Sequence, residues 1–550
     1  MIEAATDLRK LAVLSFARST AFAGGIIAIL LIFVWLFAIQ VDKNPLRLDE
    51  VDYFRSISNL AEIGLPLFYA GEVDIRPDRL DHLATRDLAG RLFEFYRYKP
   101  ETGVQKEAFF ALVDGQSQYI YGMWHPPLYI YLASIAVRVF PLTPANSELL
   151  RYFNLVFSIA TMAGMIKLSV ILYPRHYRTV SVGALAFYGL NSLNIRGSSL
   201  IDYSATLAPC IAVWFSIACV QAREEQRRIS VRLVAVTILT LFTGFGVATA
   251  ILIGAAAWAL VFQLRRLPRS VLGSLVLGSA AFVPLFWLFC ALLDLPFIQP
   301  FIYNFWRSGI EPSNPWMAGR VEMTLRYVAL YSREMGLLAV LTVALLALRA
   351  VLTREAFGEG AGRVLLPVLI ATTLFIHAYI GANAWGFMKY ILYALPLLFV
   401  YLVGEVVLIA GGASSRIQIA AAAFLLCLLV VQLTVTVPMI RHPGGNLYLS
   451  QDQGVVDAGR AVQAAAAPEE VILSPKDIAF FAERRFVDWF GWKLGDPVYL
   501  ERSIQRYDIR HVAQRTDSYR TLPDVVHQAL DLHFPLRSEV GSFTLLAGER

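Results

Sequence analysis

The chain has 550 residues, of which 57% are hydrophobic and only 16% charged, and its formal net charge is +6. A water-soluble protein carries roughly 25% charged residues, so this composition excludes an ordinary soluble globular protein. Its Lys and Arg residues cluster beside apolar runs and form no stripe interleaved with aromatics, so the positive charge marks helix ends and no nucleic-acid partner is expected.

The first apolar run, "AFAGGIIAILLIFVWLFAIQ" (21–40), follows Arg9, Lys10 and Arg18. It is longer than the apolar core of a signal peptide, about 7–15 residues, and no small-x-small cleavage site follows. It predicts an uncleaved anchor with its N-terminus in the cytoplasm. "RLDEVDYFR" (47–55) comes next and opens a first outer loop, 41–150, in which Asp52 is expected to face water.

"PPLYIYLASIAVRVF" (126–140) is short for a span, contains Arg138 and opens on two prolines, so it predicts a helix lying at the outer interface. Spanning helices are predicted near 19–40, 152–173, 179–196, 202–221, 232–247, 248–264, 270–293, 326–349, 364–382, 388–410 and 417–439. With about eleven crossings, the clusters Arg175/Arg178, Arg223/Arg227/Arg228/Arg232, Arg265/Arg266/Arg269, Arg349/Arg354/Arg363 and Arg416 all fall on the cytoplasmic side. The parity holds only if 126–140 does not cross. Residues 294–325 then form a second outer loop. "GFGVATA" (244–250) follows no strand and lacks a phosphate-loop Lys, so its glycines are read as helix packing or a tight turn.

Residues 441–550 are expected outside as a small α/β domain, with strands at "EEVILS" and "SFTLLAG" and helices at "PKDIAFFAERR" and "DVVHQALDLHF". The expected fold is therefore a polytopic α-helical membrane protein, with a transmembrane domain over 1–440 and a small α/β soluble domain over 441–550. The four cysteines, Cys210, Cys219, Cys290 and Cys427, all lie in apolar runs, which argues against a disulfide framework or a thiolate zinc site.

Polar residues on the outer side supply the candidate chemistry. They are Asp49 and Glu50 after the first helix, His125 in "WHPPLY", Arg196 and Asp202 in "NIRGSSLIDYS", and Lys389 and Tyr390 in "NAWGFMKYILYALP". Plain readings stand beside these: a solvated acidic pair, a turn-capping histidine, a lysine that snorkels to headgroups. Asp202 favours function, because an acid at a helix end in the membrane is costly and seldom idle. Lys167, His377 and Glu405 fall within predicted spans. Several carboxylates, a histidine and cations on one face suit an active site at the interface. A secondary transporter or lipid flippase, the alternative, would need polar groups at the midplane and paired broken helices in repeated halves; the sequence has neither.

The acidic pair, then "HPPL", then "ELLRYFNLVFSIATMAG", resembles the GT-C glycosyltransferases, in particular their protein mannosyltransferase-like and aminoarabinose (lipid A) transferase-like branch. "RGSSLIDYSATLAPC" and "KYILYALPLLFV" are similar to further motifs of that branch. The pair before Pro-Pro is Trp124-His125, nearer the His-Pro-Pro of protein mannosyltransferases than the Glu-Lys of the aminoarabinose branch. The resemblance implies sugar transfer from a polyprenyl-phosphate donor to a glycan, lipid or protein acceptor, in the inner (plasma) membrane with the active site facing the periplasm. It implies Asp49 as catalytic carboxylate with Glu50 in support, and His125, Arg196, Asp202, Lys389 and Tyr390 at the lipid phosphate or donor. Glu50, His125 and Asp202 also form a candidate set for a divalent metal.

Overall fold

The computed structural model describes residues 2–42, 46, 49–63, 67–69, 119–121, 126–140, 142–225, 228–262, 269–292, 337–353, 360–380, 392–441, 454–488 and 497–548. The chain divides into two compact units: residues 1–43, 154–283 and 308–449 form one, and 44–153, 284–307 and 450–550 the other.

The first unit is helical. Its helices are α1 (Ile2–Asp42), α4 (Asn154–Leu172), α5 (Tyr177–Gly189), α6 (Ser192–Ser198), α7 (Leu207–Glu224), α8 (Val231–Thr243), α9 (Phe245–Phe262), α10 (Arg269–Leu292, which runs on past 283), α11 (Leu337–Leu352), α12 (Ala361–Leu374), α13 (Leu395–Gly411) and α14 (Ser415–Arg441). A π-helical turn, Phe375–Ile380, extends α12. Among the described residues five helices are long and apolar enough to cross a membrane: Ser19–Val41, Pro144–Leu172, Ser270–Leu292, Leu392–Gly411 and Ser415–Pro438. The chain is an integral membrane protein.

The contacts of this unit sort its turns into two ends. At one end Arg363 pairs with Glu405 at 2.8 Å and Tyr173 donates to the same carboxylate. The indole of Trp258 donates to the Ala361 carbonyl at 2.6 Å, and Arg178 reaches Ser19 at 3.3 Å. A Cβ on Gly362 would lie 3.6 Å from Arg223. The turns flanked by Arg175/Arg178, Arg223 and Arg363 are thus at one end of this unit. Glu405 and Lys167, both within apolar helices, are each answered: Glu405 by Arg363, Lys167 by the ring of Trp214 at 5.1 Å.

At the opposite end the expected single helix over 179–196 is broken. α5 stops at Gly189, and α6 is a separate short helix that carries Arg196. Buried backbone groups freed by such a break need partners, and side chains provide several of them. Asn191 caps α6 by accepting from Leu193 and Asn194 N–H and donates to Gln432. Gln432 in turn donates to the Phe187 carbonyl at 2.8 Å, and Thr436 donates to that of Leu190 at 2.8 Å. A turn at 244 separates α8 from α9, where a Cβ on Gly244 would overlap the ring of Tyr203, so the "GFGVATA" glycine serves close packing.

The second unit holds α2 (Asp49–Ile63), the antiparallel pair β1 (Leu67–Tyr69) and β2 (Tyr119–Tyr121), α3 (Leu128–Val139) and a 3-10 helix, Pro144–Phe153. α3 is the expected short helix: twelve residues at 1.5 Å each give about 18 Å, short of a roughly 30 Å hydrocarbon core.

The terminal segment adds α15 (Gly454–Ala465), β3 (Val471–Ser474), α16 (Lys476–Ala482), β4 (Arg485–Asp488), α17 (Pro497–Tyr507), β5 (His511–Arg515), α18 (Thr516–Arg520), α19 (Asp524–His533), β6 (Leu536–Val540) and β7 (Phe543–Ala547). The strand order is β4-β3-β5-β7-β6; β3 is parallel to β4 and β5, and β7 is antiparallel to β5 and β6. Alternate residues of β3 face two cores. Val471 and Leu473 pack with Leu500, Val526 and Leu530, while Ile472 packs with Val455, Val462 and Ile478. Helices cover both faces, which is why β3 reads as an unbroken apolar run.

Gly404, beside Glu405, leaves no room for a Cβ against the Tyr173 ring, whereas a Cβ on Gly412 would meet nothing within 4 Å. Gly404→Ala should lower stability by about 1–3 kcal/mol, the cost of overpacking, seen as earlier thermal unfolding in detergent. Gly412→Ala should unfold with the wild type.

Candidate functional site

Helix α2 begins at Asp49, the position where an acidic residue complements the helix dipole. Its buried face is written at helical spacing: Val51, Phe54, Ile57 and Leu60 are all buried. Glu50 lies among them with no exposed surface, and Arg151 in the 3-10 helix is equally enclosed. Arg151 Nε donates to Glu50 Oε1 at 3.0 Å and its Nη2 donates to Oε2 at 2.7 Å. This fork-on-fork geometry is the strong form of a charged hydrogen bond, and it commits both carboxylate oxygens to one guanidinium.

The rest of α2 is gripped from other directions. Tyr53 meets Tyr129 of α3 edge-on at 5.9 Å, and Arg138 donates to the Leu60 carbonyl in the last turn. Asp52, expected to face water, instead forms an ion pair with Lys476 and is only 19% exposed. The sequence could not reveal this, because the partner is hundreds of residues away.

In the other unit, Asp202 is buried and closes the turn into α7. Its Oδ1 accepts from Ser204 N–H at 2.8 Å and from the Ser204 hydroxyl at 2.6 Å, and its carbonyl accepts from Thr206. Asn154 holds the same turn by donating to the carbonyls of Ser198 and Leu200, at 3.2 and 2.7 Å. Arg196 sits on α6 within this bonded segment. His377 lies edge-on to Tyr393 at 5.6 Å. His125, Lys389 and Tyr390 lie outside the described residues, as does the side chain of Asp49. Among the described residues no three of His, Cys, Asp or Glu gather as a metal-binding group. Of the candidate metal set, Glu50 is engaged by Arg151 and Asp202 by Ser204.

Arg151, Asn154 and Gln432 were not among the expected site residues. For Arg151 a signal was present: "ELLRYFN" places a cation where an apolar run begins, and a buried cation needs a buried acid. For Asn154 and Gln432 the sequence gives only polar residues at helix ends.

Removing one partner of a buried ion pair costs about 3–5 kcal/mol, while replacing both by apolar groups is often near neutral. Glu50→Gln or Arg151→Leu should therefore destabilise the protein by that amount, and the double variant Glu50→Leu/Arg151→Leu by less than either. Denaturant unfolding of the purified proteins measures this.

Comparison of the sequence with protein-family models and with curated proteins finds no match. Solved structures do match. ArnT from Cupriavidus metallidurans bound to undecaprenyl phosphate is similar at a TM-score of 0.54 and 12% identity, over 96% of this chain and 99% of that one. The apo state of the same protein gives 0.53 and 11%, over 96% and 100%. The Archaeoglobus fulgidus oligosaccharyltransferase tethered with an acceptor peptide containing the NVT sequon gives 0.51 and 12%, over 96% and 74%. Over nearly its whole length, this chain therefore has the fold of the GT-C glycosyltransferases.

Proposed function

We propose that this protein is a membrane glycosyltransferase that moves a sugar from a polyprenyl-phosphate donor to an acceptor hydroxyl at the outer face of the inner membrane. The observation that carries the reading is the start of α2: Asp49 opens a helix whose second residue, Glu50, is locked to Arg151. On a fold also found in ArnT bound to undecaprenyl phosphate, a helix held at its second residue supports the reading of Asp49 as a general base, which needs a rigid backbone behind it.

In the proposed reaction Asp49 takes the proton of the acceptor hydroxyl as that oxygen attacks the anomeric carbon. The bond from that carbon to the phosphate oxygen breaks, and the polyprenyl phosphate departs with the electron pair. A phosphate leaving group at neutral pH needs its charge stabilised more than it needs a proton. Arg196, His125 and Lys389 are the proposed cations for it, with Tyr390 beside Lys389 in the sequence. Glu50 takes a positioning role, because Arg151 claims both of its oxygens. Asp202 shapes the turn that follows Arg196. The basic turns gathered at one end of the helical unit, opposite the break at 190, support the proposed side assignment. The terminal α/β segment then lies outside.

The test is transfer of radiolabelled sugar from polyprenyl-phosphate sugars in membranes. General-base help is worth about 10²–10⁴-fold, so Asp49→Asn, inserted at wild-type level, should lose that much rate. Equal rates for the two proteins across all donors would remove Asp49 from the mechanism.

A further inference from the structure

The terminal α/β segment has no role in the chemistry so far, yet it touches the helix that opens with Asp49. Its first strand, β3, lies between β4 and β5 and delivers the chain to Lys476 at the start of α16. Lys476 forms an ion pair with Asp52, one helical turn along α2 from Asp49, and the two side chains are 17% and 19% exposed. Three residues further on, Arg55 lies over the ring of Phe486 in β4 at 5.1 Å and near that of Phe480 in α16 at 5.9 Å. Phe54 meets Phe480 edge-on at 5.3 Å. Asp52 and Arg55 are at i and i+3, so they project from the same side of the helix, and that side meets one strand and one helix of the terminal segment.

We propose that the terminal segment (454–547) is a clamp that fixes the angle and register of α2, with Asp52, Arg55 and Lys476 as positioning residues. The two grips on α2 differ in character. Glu50 and Arg151 secure its first turn through a fully buried pair. Asp52, Phe54 and Arg55 secure the next turn through a largely buried ion pair and aromatic contacts, which together resist rotation about the first grip. The consequence for activity rests on the glycosyltransferase reading. A general base displaced by about 1 Å can lose on the order of 10²-fold in rate, so a loosened clamp should reduce kcat and leave donor KM nearly unchanged.

The experiment uses the full chain in nanodiscs with Lys476→Glu, Lys476→Arg and the exchanged pair Asp52→Lys/Lys476→Glu. Hydrogen exchange is followed over residues 49–63 and, as a folding control, over the strands 471–474 and 511–515. Lys476→Glu should speed exchange over 49–63 with the strands unchanged and lower kcat about tenfold. Lys476→Arg and the exchanged pair should return both readouts to within about twofold of wild type. Wild-type exchange over 49–63 in Lys476→Glu would overturn the clamp. So would faster exchange with an unchanged kcat, which would make the contact structural only. If the wild type itself transfers no sugar, the glycosyltransferase reading falls, and the exchange result still decides whether the terminal segment holds α2.

Discussion

The buried pair of Glu50 and Arg151 ties together segments 101 residues apart in the chain. Neither charge could stay there alone, since an isolated ion in a low-dielectric interior costs several kcal/mol. Two parallel hydrogen bonds make the enclosure tolerable, and they also fix geometry, because a planar guanidinium meets a planar carboxylate in few orientations. The start of α2 is therefore set relative to the 3-10 helix Pro144–Phe153. The proposed chemistry depends on that constraint, and the contacts of α3 and the terminal segment refine it further along the helix.

The helical unit meets a different constraint. Where α5 breaks at Leu190, the freed carbonyls of Phe187 and Leu190 are bonded by Gln432 and Thr436 of α14, and Asn191 caps α6. Asn154 binds the segment that follows α6 in the same way. Irregular backbone buried in protein needs protein groups to satisfy it, and here it carries Arg196 and Asp202. At the far end, Glu405, Arg363 and Tyr173 form a second buried network. A charge within an apolar helix can suggest function; here its partner gives Glu405 a structural explanation, holding the start of α12 against α13.

The legible parts of the fold were those that depend on local composition and periodicity. Long apolar runs such as 21–40 and 417–440 became α1 and α14 because the cost of exposing backbone in lipid leaves a helix as the natural outcome. The unbroken apolar "VIL" of β3 and the alternation in "FTLLA" sufficed to place two strands, and "PKDIAFFA" to place a helix. Strands β4 and β6 were harder to read: Arg485 and Asp488 make β4 look polar, and β6 is an exposed edge. The break at 190 was missed although Gly189 and the capping Asn191 stand at it, because the partners that satisfy its carbonyls, Gln432 and Thr436, lie on the distant α14.

Asp49, Glu50, Arg196 and Asp202 were recognisable from the sequence as scarce polar residues beside apolar runs, since scarcity of charge in such a chain makes each one informative. Their roles were not separable there, because an acidic pair reads alike whether both members face water or one is buried. Only the tertiary structure assigned Glu50 to Arg151 and Asp52 to Lys476. Ion pairs are chosen by distance in space, and separation along the chain carries no record of it. The sequence by itself determined a helical membrane protein with candidate acids after its first span, and the packing of distant segments decided which acid is held and by what.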